Sequence, residues 1–181
     1  MERQVPGECG RADQFVEGVM AADILADGRL DYTPEVLDRF DFVIGSIHSR
    51  FELDGAAMTA RVLRALDDPH LTILGHPTGR LLLTRDPYEI DLHRVIARAA
   101  ERGVAIEINA DPQRLDLDWR LCREARDAGV AISIGPDAHS LAGLHNVEFG
   151  IGIARKGWLE PQDVLNTRDA EGFLDYAKAR E

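Results

Sequence analysis

Cysteine is nearly absent. The 181 residues contain two, Cys9 and Cys122, too few for a secreted disulfide scaffold. Basic residues are scarce beside acidic ones: Lys and Arg total 21, Asp and Glu 32, and the net charge is −11. That balance argues against holding nucleic acid by bulk attraction, while a local phosphate site needs only a few arginines or a metal. No apolar run approaches the roughly 20 residues of a membrane-spanning helix. The opening stretch MERQVPGECGRADQ lacks the apolar core of a signal peptide, so a cytoplasmic chain is expected. No GxGxxG turn follows a strand-like run and no GxxxxGKS/T loop occurs, so a nucleotide cradle has no motif. What remains is 45 % apolar and 29 % charged, the make-up of one globular domain that can bury its own core.

Short β-branched runs alternate with amphipathic runs of helical length. Phe42–Ile47, Leu71–Leu74, Val104–Ile108 and Val130–Ile134 read as buried strands. Asp54–Leu66 reads as a helix capped by Asp54, Tyr88–Arg102 as one closed by Gly103, and Asp116–Ala128 as one closed by Gly129. The junctions ERGVAIEI and DAGVAISI nearly repeat each other, as successive βα units do. Such units imply an α/β fold with a parallel sheet, open or closed into a barrel. Ala21–Leu25 and Val147–Ile153 are weaker strand candidates, and Pro161–Leu165 and Gly172–Arg180 weaker helices. Residues 1–18 show no periodicity and stand as an unassigned, candidate disordered segment.

Polar, metal-competent residues follow the strand-like runs. His48 follows FVIGSI, His76 follows LTILG, Asn109 follows VAIEI, and Asp137 and His139 follow VAISIGP. In parallel α/β folds that edge gathers ligands and catalytic groups. Imidazole with carboxylate suits zinc, manganese or iron, and an Asp-x-His pair on a strand end would present both side chains to one face. Glu107 shares the face of Asn109 and is a candidate buried partner for a ligand. Cys122 falls at an apolar helical position and reads as core. His70, His93 and His145 lack the strand-end placement and read as surface or packing.

Taken together, GSIHSRF, GHPTGRLLLTRDPYEID, EINADPQRLDLDW, SIGPDAHS and FGIGIARKGWLEPQDVLNT resemble the PHP (polymerase and histidinol phosphatase) family. The likeness is to the PHP domain of bacterial and archaeal family X DNA polymerases, over about residues 19 to 181. It implies a distorted (β/α)7 barrel holding up to three divalent ions, manganese or zinc, that hydrolyses phosphoesters, in family X as a 3′–5′ exonuclease on DNA. Carried over by position, His48, His76, Asp137 and His139 match metal ligands, with Asp137 and His139 also the catalytic candidates. Arg80, Arg114 and Asn109 become candidate contacts to a DNA or small phosphate-ester substrate.

The chain also departs from that pattern. The family opens with a strand ending in His-x-His and then supplies an Asp and another His; here no histidine precedes His48. A family glutamate two residues before its Asp-Ile falls on Ala21, which cannot bind a cation. The expectation is therefore a PHP-type barrel incomplete for want of its first strands, with an underpopulated site and impaired catalysis. Its open sheet edge would invite self-association or a partner chain. The alternatives are an inactive remnant with a weak metal site and a histidinol-phosphatase-like small-molecule enzyme.

Overall fold

The sheet is built from the runs in which aliphatic and β-branched residues stand together. The computed structural model describes residues 19–179; the 1–18 segment lies outside the described residues. Strands β1 (Val19–Asp23), β2 (Phe42–Ser46), β3 (Leu71–Leu74), β4 (Ala105–Asn109) and β5 (Ile132–Gly135) form one five-stranded sheet in the order β1-β2-β3-β4-β5. Every adjacent pair is parallel. Spatial order equals chain order, the way a parallel barrel wall is laid down, and the α/β parallel fold expected from the sequence is found. No helix among the described residues is long and apolar enough to cross a membrane.

The connections are helical: α1 (Pro34–Leu37), α2 (Gly55–Leu66), α3 (Leu92–Arg102), α4 (Trp119–Asp127), α5 (Val147–Lys156) and α6 (Ala170–Lys178). Four begin on an aspartate whose carboxylate accepts a backbone N–H of the first turn: Asp54 from Ala57, Asp91 from Arg94, Asp118 from Arg120 and Asp169 from Gly172. Gly103, at φ 65°, closes α3 in the left-handed conformation.

Two helix starts differ from the sequence reading. Residues 88–90 do not join α3, because the Tyr88 hydroxyl donates to the Pro77 carbonyl at 2.8 Å and holds the chain against the preceding loop. Asp116 does not join α4, because its N–H donates to the Asn109 carbonyl at 3.1 Å. Residues 147–153 are not a strand but the first part of α5. Their alternating pattern imitates period two, yet Gly150 and Ala154 are the buried positions, four apart on one helical face. A Cβ on Gly150 would stand 2.5 Å from Ile134 and 2.9 Å from Ala110, so the helix lies close on the sheet.

The two faces of the sheet are packed unequally. One carries the main core, where Val43, Leu74, Ile106, Ile108 and Ile132 meet Met58, Val62, Ile96, Ala99 and Cys122. Burying each large aliphatic there contributes about 1.5–3 kcal/mol. The other face holds a small cluster, Ile73, Ala105 and Leu165, flanked by Ile44, Phe42 and Phe173. The Phe42 and Phe173 rings meet edge to face, 4.7 Å between centroids. Beyond β5, Val164 bridges Ile132 in parallel. The Asn166 side chain accepts from the Ile134 N–H at 2.7 Å and donates to the Ile134 carbonyl at 3.0 Å. One side-chain amide thus serves the edge as a neighbouring peptide would.

Candidate functional site

The carboxyl ends of the strands carry the polar groups expected there, and the loops leaving them are fixed by side chains. Arg61 lies buried on the core face of α2. It donates to the carbonyls of Ile24, Leu25 and Ser49, pinning the loop after β1 to the loop that holds His48. Asp23, the last residue of β1, accepts the His48 N–H at 3.1 Å, and its carboxylate lies 3.6 Å from His48 Nδ1.

His76 follows β3 on a backbone with φ 25°, and Asp137 follows β5 with φ 49°. Both are non-glycine residues in the sparsely populated positive-φ region, which surrounding structure must hold in place. The His76 N–H donates to Glu107 Oε2 at 2.8 Å, and Asn109 Nδ2 approaches the same oxygen at 3.4 Å. Asp137 Oδ2 accepts from Arg114 Nε at 3.0 Å.

The structure brings His48 and His76 together, Nε2 to Nε2 at 3.3 Å, with rings crossing at 75°. Two imidazoles sharing a tetrahedral zinc at roughly 2.0–2.1 Å each would stand about 3.3 Å apart, so the spacing fits a shared ion. Buried His76 is pushed down to about 4, first by desolvation and then by the charges of Arg114 and His48. It is therefore neutral at pH 7, as a ligand must be. Its Nδ1 is buried without a hydrogen-bond partner. No group of three or more His, Cys, Asp or Glu placed to hold a metal occurs among the described residues.

His139 does not meet the pair. Its exposed ring directs Nδ1 to the Asp137 carbonyl at 2.8 Å. A carbonyl only accepts, so Nδ1 carries a proton in this arrangement. The strand-face argument for Asp-x-His fails here, since β5 ends at Gly135 and Asp137 is left-handed. Asn109 is buried, accepting the Asp111 N–H at 3.1 Å. Arg80 is committed within the protein: Nε donates to the Arg114 carbonyl at 2.8 Å, Nη2 to that of Leu115, and Nη1 to Asp118 at 3.2 Å. Arg114 keeps one buried nitrogen, Nη1, without a partner.

Three functional-looking residues escaped the sequence reading as site members. Asp23 ends β1, while His48 and His76 lie just beyond β2 and β3, but β1 was weakly marked. Arg61 was detectable as a cation on the apolar stripe of α2. Asp116 sits within RLDLDW; its carboxylate accepts both the Thr78 N–H at 2.9 Å and the Thr78 hydroxyl at 2.8 Å. Complete burial, opposed by those two bonds, pushes Asp116 up to about 6. Burial likewise pushes Glu107 up to about 7, against the bonds from His76 and Asn109.

No protein-family model matches the chain. Over 155 residues, 84 % of its length, it is 44 % identical to the DNA polymerase/3'-5' exonuclease PolX of Bacillus subtilis. It spans only 27 % of that relative. It is 28 % identical over 176 residues to a probable phosphatase of Thermoanaerobacter sp. strain X514, covering 92 % of this chain and 69 % of that one. It is 29 % identical over 182 residues to a probable phosphatase of Vibrio cholerae, covering 92 % and 71 %. The chain is thus similar both to one segment of a much longer polymerase/exonuclease and to the larger part of proteins named as phosphatases.

Proposed function

We propose that this chain is a PHP-type domain of the polymerase X exonuclease lineage, whose site binds a divalent ion, zinc or manganese, and hydrolyses phosphoesters weakly by itself. The observation that carries this reading is the His48–His76 pair, Nε2 atoms 3.3 Å apart at the carboxyl edge of the sheet. The names of the relatives, an exonuclease and phosphatases, support the reaction class.

His48 and His76 would hold the ion; when bound, it supplies a Lewis acid for a phosphoryl oxygen and a water of lowered pKa. Asp23 and Arg61 fix the His48 loop, and Asp137 places a carboxylate beside Arg114. Arg114 sets its positive charge beside that carboxylate, its Nη1 buried without a partner. Two imidazoles hold an ion less firmly than the three or four ligands of a built catalytic site, which is why the proposed turnover is weak. A net charge of −11 leaves DNA to be held at the site rather than by the surface.

The test is zinc and manganese titration of the purified chain, with hydrolysis of 3′-labelled single-stranded DNA and of p-nitrophenyl phosphate. Expected are binding that His76→Ala abolishes, and slow metal-dependent release that His76→Ala and Asp137→Ala both remove. Hydrolysis of only the small ester would assign the site to the phosphatase relatives. Absence of metal binding, or release indifferent to both substitutions, overturns the proposal.

A further inference from the structure

We infer that Glu107 is the positioning residue of this site: its carboxylate holds the His76 backbone in the strained conformation that aims one imidazole at the other. The inference rests on the function proposed above for its purpose, but on geometry for its content. Three independent observations converge on it.

The first is the bond itself. Glu107 Oε2 accepts the His76 N–H at 2.8 Å across neighbouring strands. That N–H belongs to a non-glycine residue at φ 25°, a conformation that reverts to an ordinary one unless something retains it. The bond asks of its acceptor only an oxygen at the end of a side chain of this length.

The second is the space made for the carboxylate. Glu107 is flanked by a glycine on each neighbouring strand's end. A Cβ on Gly135 would overlap Glu107 Oε1, whereas one on Gly75 would strike Ser46 Oγ and only touch Glu107 Oε2 at 3.5 Å. Neither glycine has a positive φ, so turn geometry does not demand them. The room that Gly135 leaves is the room the glutamate side chain fills.

The third is the support. Asn109, two residues on and on the same face, reaches the same oxygen at 3.4 Å and is itself held through the Asp111 N–H. The Glu107 carbonyl accepts from Leu117 at 3.1 Å, tying its strand to the RLDLDW loop. The carboxylate is thus fixed from its own backbone outward.

The role depends on reach and on an acceptor oxygen, not on charge near an ion. Glu107→Gln keeps both. Glu107→Asp keeps the charge but is one methylene short. Gly135→Ala leaves Glu107 in place and pushes its carboxylate aside. The experiment measures cobalt(II) affinity from the visible absorption of the four full-length proteins, with thermal unfolding as the folding control. It adds hydrogen exchange of the His76 amide in the metal-free proteins. Expected are an affinity for Glu107→Gln close to that of the parent, and affinities about 10- to 100-fold weaker for Glu107→Asp and Gly135→Ala. The His76 amide should be protected in the parent and Glu107→Gln and should exchange fast in the other two. If the parent binds no cobalt, the proposed function falls, and amide exchange alone decides the positioning role. Parent-like affinity and exchange in Glu107→Asp, or their loss in Glu107→Gln, overturns the inference.

Discussion

Arg114 donates its Nε to Asp137 Oδ2 at 3.0 Å while its own carbonyl accepts from Arg80 Nε at 2.8 Å. The loop after β4 therefore holds the carboxylate after β5 and is itself held by the loop after β3. Both partners are largely shielded, with side-chain exposures of 17 % and 26 %, and a hydrogen bond to a charged group in such a place contributes about 1.5–3 kcal/mol. Urea unfolding of Arg114→Ala should show a loss of that size. A double-mutant cycle with Asp137→Asn should return a coupling of at least about 1 kcal/mol. Additive losses would show that the two residues act separately.

Arg80 joins two carbonyls and Asp118 with one fork, which a lysine ammonium cannot span. Arg80→Lys should therefore lower the unfolding midpoint nearly as much as Arg80→Ala. A lysine variant with parent stability but weakened phosphate binding would assign Arg80 to the substrate instead.

Asp116 provides a pH test. Burial raises it from 3.8 to about 6, so its folded value lies above its unfolded one. Its contribution to stability is complete below the unfolded value and is lost as pH rises through the folded one. Asp116→Asn keeps an acceptor for Thr78 and cannot ionise. The stability of the parent minus that of the variant should fall between about pH 4 and about pH 7. A difference that is flat or rises with pH would contradict the assignment.

Leu83 is fully exposed and has φ 64°. Glycine takes that conformation without a Cβ clash and forfeits no packing here. Leu83→Gly should stabilise the chain by about 0.5–1 kcal/mol, read as a higher urea midpoint. Destabilisation would mean that the leucine makes contacts in solution.

The strands were legible because their signal is local. LTIL is a run whose every residue is buried, and composition alone marks it. His48 and His76 were legible because each follows such a run directly. Residues 147–153 were not, since V-E-F-G-I-G-I satisfies period two, while the positions buried in the helix, Gly150 and Ala154, stand four apart. The same limit hid Asp116, which pairs with Thr78 at a sequence distance of 38. It also blurred the relation of Asp137 to His139, because a left-handed residue breaks the alternation on which the strand-face argument depends.

Asn166 closes one rim of the sheet. By meeting both polar groups of Ile134, with Val164 bridging Ile132, it takes up the outer edge of β5. At the other rim Asp31 does the same for Asp23 of β1: its N–H donates to the Asp23 carbonyl at 3.0 Å and its carboxylate accepts the Asp23 N–H at 2.9 Å. A strand added beside either residue would first have to displace these partners. Each rim thus carries a polar side chain standing in for a missing neighbour strand.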